Sequence, residues 1–389
     1  MREDLSAAEV PGPRVAASDG RAPAPDLARG LMLLVIALAH APLFTVVARV
    51  PLGTDTITEV LHLLFVNNHA RSMFAFLYGY ALVQLTDRRP AAEAPGLIRR
   101  RGGWLIMIGF LHVVLLAGID ILAAYGLVAV LFAGLLRAKD ATLLRLAAGT
   151  TIPAVGLAGV IMWYPLSQGV SSYALNGFDA AARDPWALLI DRVLGWPAGL
   201  ALGVVLVLPA VILGIWAARR RLLEQPEQHR RMLLGVAVGS TLVALAGAVP
   251  AILIQTGTWP EPPVAGVALA TFLQPLTGFI GGIGVIGFIA AAAPAVERRP
   301  GLLSTALQAL GRRSLTFYLF QSVIFVAVCS PYGLGLGDRL GITGASVLAV
   351  ITWVVSLLLA ELMRRRGHRG PAELLLRRLV RLGGRRTPG

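Results

Sequence analysis

A single cysteine, Cys329, occurs in 389 residues, so the chain can form neither an intrachain disulfide nor a site with several thiolate ligands. Charge is also scarce, at 14% of residues, where a soluble domain carries about 25%. Lysine is almost missing: Lys139 is the one lysine among 35 basic residues. No G-x-x-x-x-G-K-S/T run is present, which excludes a P-loop nucleotidase. The absence of H-E-x-x-H, C-x-x-C and clustered carboxylates points away from a metal site. No internal repeat stands out, which weakens the inverted-repeat plan of many transporters. What the chain does have is apolar surface: 56% of its residues are hydrophobic.

A bilayer-crossing helix needs roughly 20 mostly apolar residues. Residues 1–26, rich in Pro, Ala and Gly, fail that test and read as a disordered cytoplasmic tail rather than a signal peptide. Ten apolar stretches follow, at 29–48, 60–86, 102–118, 120–137, 143–163, 193–218, 232–254, 264–293, 314–330 and 343–363. The expected fold is therefore all-α, a polytopic membrane helix bundle of about ten transmembrane helices with both termini cytoplasmic. The second and eighth stretches are long enough to predict tilt, a kink or an extra turn. The expected organisation is a tail at 1–26, a multi-pass domain at 27–366 with an external interfacial segment at 164–192, and a basic amphipathic cytoplasmic tail at 367–389.

The arginines test this count. Ten spans starting inside leave 30 of the 35 basic residues on the cytoplasmic side, with Arg49, Arg71, Arg183, Arg192 and Arg339 as the exceptions. That asymmetry is what the positive-inside rule predicts. The net charge of +14 is thus spread over separate loops on one side, which argues against nucleic acid as a partner. Within 371–383, Leu375, Leu379 and Leu382 share a helical face and Arg377, Arg378 and Arg381 lie elsewhere. This suits a helix on the inner leaflet against anionic lipid head groups.

Ionisable groups at membrane depth are costly, so each needs a reason. His40 stands eleven residues after Arg29 and His112 eleven after Arg101, placing both about 16 Å from the inner surface at about 1.5 Å per residue. Tyr78 and Tyr125 fall in the same layer. Arg71 and Asp120 reach the outer leaflet at similar heights, with Asn67 and His69 nearby, and an Arg71–Asp120 pair would offset part of their burial cost. Thr316, Tyr318 and Gln321 are expected at the inner end of this polar track. Asn67, Arg71, Phe74 and Tyr78 share one helical face, and Arg29 shares a stripe with His40. Each group also has a purely structural reading: neutral histidines and Gln321 bonding neighbouring helices, a structural Arg71–Asp120 ion pair, and Cys329 as an apolar filler. Two histidines at one depth beneath charged groups are harder to explain as helix glue alone.

These residues lie in stretches that resemble the YeiB-like bacterial membrane proteins (DUF418). Arg29-Gly30-Leu31 leading to His40 is similar to that family's first helix. Arg71-Ser72-Met73-Phe74-Ala75-Phe76-Leu77-Tyr78-Gly79 resembles its F-R-S-L-F-S-L-L-F-G run, and Gly109-Phe110-Leu111-His112 with Asp120-Ile121-Leu122 and Tyr125 resembles its G-L-L-H … G-D-I-L-x-x-Y pattern. Gly311-Arg312 through Gln321-Ser322, and Gly370-Pro371-Ala372-Glu373, are similar to its last two motifs. His40 stands where the family often has Asn, and Phe317 where its motif has Asn. The resemblance implies a bacterial plasma membrane protein remotely similar to transmembrane acyltransferases, some of which carry an Arg-x10-His motif matched in spacing by Arg29 and His40.

The expected function is transfer of an acyl group from a cytoplasmic donor, with acyl-CoA as co-substrate and no bound cofactor or metal, to an acceptor at or beyond the membrane. His40 and His112 are the candidate catalytic residues. Arg29, His69, Arg71, Tyr78, Asp120, Tyr125 and Gln321 are the candidate substrate contacts. The alternative is a transporter or flippase for a small polar or lipid-linked solute using the same track. A non-catalytic sensor or assembly subunit is the third reading.

Overall fold

The computed structural model describes residues 23–45, 53–87, 90, 92–116, 120–173 and 184–382. Among these, every regular element is helical. In chain order they are α1 (Pro23–His40), α2 (Thr54–Phe65), α3 (His69–Thr86), α4 (Ala94–Leu115), α5 (Leu122–Leu131), α6 (Asp140–Gln168) and α7 (Pro185–Arg219). Then follow α8 (Arg230–Gln255), α9 (Val264–Arg298), α10 (Leu302–Gly311), α11 (Ser314–Cys329), α12 (Ile342–Arg365) and α13 (Pro371–Leu382). Short 3-10 turns extend α1 over Ala41–Phe44 and follow α5 over Ala133–Arg137.

Six described helices are long and apolar enough to cross a membrane: α1 with its 3-10 extension, α6, α7, α8, α9 and α12. The sequence stretches 102–118, 120–137 and 314–330 fall on α4, on α5 with its 3-10 turn, and on α11. The stretch 60–86 is two helices. α2 ends at Phe65, and Asn68 takes a left-handed φ of 65° before α3 begins. Asn is one of the few non-glycine residues that adopt this conformation readily. The stretch 264–293 forms one continuous helix despite Pro275 and Pro294. Large apolar side chains such as Ile152, Val160, Leu242 and Leu358 face outward on α6, α8 and α12. A soluble surface would not tolerate so much exposed hydrocarbon, whereas a bilayer solvates it.

The helix α1 starts at Pro23, inside the stretch read as a tail; residues 1–22 lie outside the described residues. Asp26 suits the positive end of a helix. It also pairs with Arg29 at 3.0 Å and Arg312 at 3.2 Å, which fixes the start of α1 against the α10–α11 junction. The expected interfacial segment 164–192 is partly helical, since α6 runs to Gln168 and α7 starts at Pro185; residues 174–183 lie outside the described residues. Of the expected C-terminal segment, α13 is described. It packs on α4 and α11 through Leu376, its one buried residue, while Leu375 and Leu382 stay exposed. Glu373 reaches the N-terminus of α11 and accepts the Leu315 N–H at 2.8 Å and the Thr316 N–H at 3.2 Å.

In lipid, helices gain little from hiding apolar faces from one another, so close backbone approach matters more. The α3–α7 contact meets that need with reciprocal glycines. A Cβ on Gly79 would strike the Val211 carbonyl, and one on Gly214 would strike the Phe76 carbonyl. Gly79→Leu is therefore expected to force α3 and α7 apart, at a cost of about 3 kcal/mol or more. Thermal unfolding in detergent, with size-exclusion profiles, should show a clear drop in midpoint. An unchanged midpoint would contradict the α3–α7 contact.

Candidate functional site

The histidines His40 and His112 arrive on different helices and meet across Tyr318. His40 ends α1, His112 lies near the end of α4, and Tyr318 is one turn into α11. The Tyr318 ring centre is 5.9 Å from that of His40 and 5.3 Å from that of His112. Phe74 from α3 stacks beside it at 6.2 Å. Phe74 also meets Tyr125 of α5 edge-on at 5.0 Å, and Tyr125 stacks on Tyr78 at 4.6 Å. Tyr318 therefore belongs to the histidine layer and not to the inner end expected from its position in α11.

Asp120 closes this cluster. Its Oδ1 faces His112 Nδ1 at 3.2 Å, off the direct line of a hydrogen bond, and its Oδ2 accepts the Ala123 N–H at 2.7 Å at the start of α5. The side chain fits against α4 because residue 109 is glycine, where a Cβ would strike the carboxylate. His112 Nε2 lies 2.8 Å from Ser322 Oγ on α11. With the Nδ1 proton facing the carboxylate, Nε2 is left to accept from the serine hydroxyl. The order Ser–His–Asp matches that of a nucleophilic triad. Ser322 is buried, however, and is not among the residues lining the cavity described next, so here it joins α11 to α4. The hydroxyls of Tyr78 and Tyr125 are buried without a hydrogen-bond partner.

A cavity of about 460 Å³ lies against the cluster. Its polar side carries His40, Asn67, Asn68, Arg71, Asp120 and Tyr318, and its opposite wall is apolar, built from α6 and α7. The expected Arg71–Asp120 pair does not form. Arg71 instead donates to Asn68 Oδ1 at 2.6 Å, while Asp120 turns to His112. Equal depth brought the two residues to one level, but rotation about α3 aims the guanidinium at the Asn68 turn.

A strap closes one end. Ser172 and Tyr173, after α6, line the cavity and are held by α2. Glu59 accepts from Ser172 N at 3.0 Å, Ser172 Oγ at 2.6 Å and Ser171 Oγ at 3.1 Å. Tyr173 Oη lies 2.7 Å from His62 Nδ1 and donates to Asn67 Oδ1 at 2.7 Å. At about 18 Å, the helix α2 is too short to cross a bilayer. Burial raises the Glu59 carboxyl above its ordinary range, and the Ser172 and Ser171 hydrogen bonds offset part of that rise.

Residues 217–383 match a family model described as a protein of unknown function, DUF418. The matched stretch covers less than half of the chain. No curated protein matches the chain. The matched stretch includes Tyr318, Gln321 and Ser322, whereas His40, Arg71, His112 and Asp120 precede it. Of the residues expected at a site, the structure gathers His40, His112, Arg71, Asp120, Tyr78 and Tyr125 into one cluster with its cavity. Gln321 donates to the Leu33 carbonyl at 3.1 Å and so ties α11 to α1. His69 turns toward Gly281 on α9, with Nδ1 3.0 Å from the Asn67 carbonyl. Arg29 stays with Asp26 at the other end of α1. Sequence reasoning put Ser172 and Tyr173 in the external interfacial segment 164–192 but missed their anchors, Glu59 and His62. The one available signal was a carboxylate followed three residues later by a histidine at the start of an apolar stretch.

Two outcomes follow from this geometry. Asp120→Ala strands the Ala123 N–H and His112, so it should cost about 3 kcal/mol in detergent unfolding, while Asp120→Asn, which retains an acceptor, should cost less. Equal losses would show that the carbonyl acceptor is irrelevant. For Glu59, a raised folded-state pKa means that its contribution to stability is present at low pH and lost as pH rises through that value. Wild-type unfolding midpoints should fall across that rise. Glu59→Gln should flatten the profile.

Proposed function

We propose that the chain is a membrane acyltransferase whose reaction chamber is the cavity beside His40. The observation carrying this reading is that two histidines from α1 and α4 and a carboxylate from the connection before α5 gather around Tyr318 at the wall of a partly polar cavity. His40 is the histidine that lines the cavity, so it is the general base. It removes the proton of an acceptor hydroxyl or amine as that atom forms a bond to the acyl carbonyl carbon. The carbonyl–sulfur bond of the thioester breaks, and the proton passes from the imidazolium to the departing thiolate. His112, held by Asp120 and Ser322, positions Tyr318. Arg71 orients the acceptor, with Tyr78, Tyr125 and Asp120 behind it. Gln321 and His69 hold the helices that frame the chamber.

The donor is acyl-CoA arriving from the cytoplasmic side, where Arg29 and the arginine-rich loops favour its phosphates. In this reading the chain crosses the bacterial plasma membrane about ten times with both termini cytoplasmic, and α13 lies against anionic head groups of the inner leaflet. The rival reading, a transporter or flippase, draws on a different observation: the Tyr78 and Tyr125 hydroxyls are buried without a hydrogen-bond partner, as groups waiting for a passing polar solute would be.

Purified protein given radiolabelled acetyl-CoA and a membrane extract should transfer label. His40→Ala should lower the rate at least about 100-fold with an unchanged unfolding midpoint. Failure of transfer from acetyl and longer donors, with monodisperse protein, would overturn the acyltransferase reading. Movement of solute into sealed vesicles without a covalent product would favour the rival.

A further inference from the structure

The two walls of the cavity differ in kind, and the difference identifies a ligand. On the apolar side, Ile161 of α6 and Leu202 of α7 line the cavity and are also 45% and 43% exposed on the outside of the bundle. This wall of the cavity is therefore built from side chains that also face the hydrocarbon around the helices. Farther along α7, Gly195 and Gly199 line the same wall, and a Cβ on either would meet no atom within 4 Å. These glycines, one turn apart and exposed, leave an open slot along α7 at the lipid-facing edge of the cavity. On the polar side stands Arg71. Its side-chain hydrogen bond goes to a neutral amide oxygen of Asn68, and the nearby carboxylate, Asp120, is engaged by His112 and the Ala123 N–H. A guanidinium inside an apolar bundle is costly without an anion, and its planar fork matches phosphate well.

We infer that the cavity binds a phosphate-bearing amphiphile drawn laterally from the bilayer, with its phosphate on Arg71 and its acyl chain along the Gly195–Gly199 slot of α7. The cavity volume of about 460 Å³ falls in the range of small-molecule sites, roughly 300–1,000 Å³. The inference deepens the proposed reading by naming the acceptor as a phospholipid-class molecule. It rests on that reading for the acceptor's role, but the binding itself does not depend on acyl transfer. Trp196, which lines the cavity and packs edge-on against Phe110 at 5.0 Å, provides a reporter.

The test is titration of the purified full-length protein with dioctanoyl phosphatidic acid, dioctanoylglycerol and inorganic phosphate, read by fluorescence, with Trp196→Phe to identify the reporting signal. The phosphatidic acid should bind at least about tenfold more tightly than the uncharged diacylglycerol, a difference of about 1.4 kcal/mol. Arg71→Gln should remove that preference while leaving chain-dependent binding. Gly199→Leu, which adds a side chain in open space, should weaken binding of both lipids without lowering the unfolding midpoint. Equal affinity for both lipids in the wild type would overturn the proposal without any variant. Saturation by inorganic phosphate with no gain from the acyl chains would also overturn it and leave a free-anion site. Lipid binding without label transfer would overturn the acyltransferase reading alone, whereas transfer with no lipid binding would overturn this one alone.

Discussion

A carboxylate surrounded by apolar helices needs donors within reach, because water is not there to supply them. Asp120 accepts one from the Ala123 N–H and has the His112 ring beside its other oxygen at 3.2 Å. Those two partners fix the start of α5 against α4 and turn His112 so that its far nitrogen meets Ser322 of α11. Tyr318, one turn before Ser322, then lies between the two histidine rings. Gly109 makes the arrangement sterically possible, since any side chain there would occupy the carboxylate's position. The candidate site is thus organised from one buried charge outward.

Glycine serves two opposite purposes along α7. Near Gly214 it lets the α3 and α7 backbones touch, which locks the helix that carries Arg71, Phe74 and Tyr78. Near Gly195 and Gly199 it faces empty space and leaves room beside the apolar wall. Between these regions α7 passes from tight packing to a cavity without a break in the helix. The same helix therefore sets the rigidity of one end of the site and the capacity of the other.

The site also crosses the boundary of the matched family domain. The DUF418 stretch contributes α11 with Tyr318 and Ser322, and α13, whose Glu373 caps α11 and helps set its orientation. The acid–base groups come from helices before it. Neither part holds the cluster alone, because its contacts run between α1, α3, α4, α5 and α11.

Much of this was legible in the sequence. Hydropathy located the long apolar helices, and counting residues from the flanking arginines grouped His40, His112, Tyr78 and Tyr125, which the structure joins through ring contacts with Phe74 and Tyr318. The same counting suggested an Arg71–Asp120 pair that does not exist and placed Tyr318 too far inward. Depth along a helix follows from a fixed rise per residue, so the sequence by itself determined which polar groups share a level. Rotation and tilt depend on how neighbouring side chains pack. Only the tertiary structure decided that Asp120 faces His112, that Arg71 turns to Asn68, that Gln321 holds α1, and that Glu59 holds the strap from more than one hundred residues away in the chain.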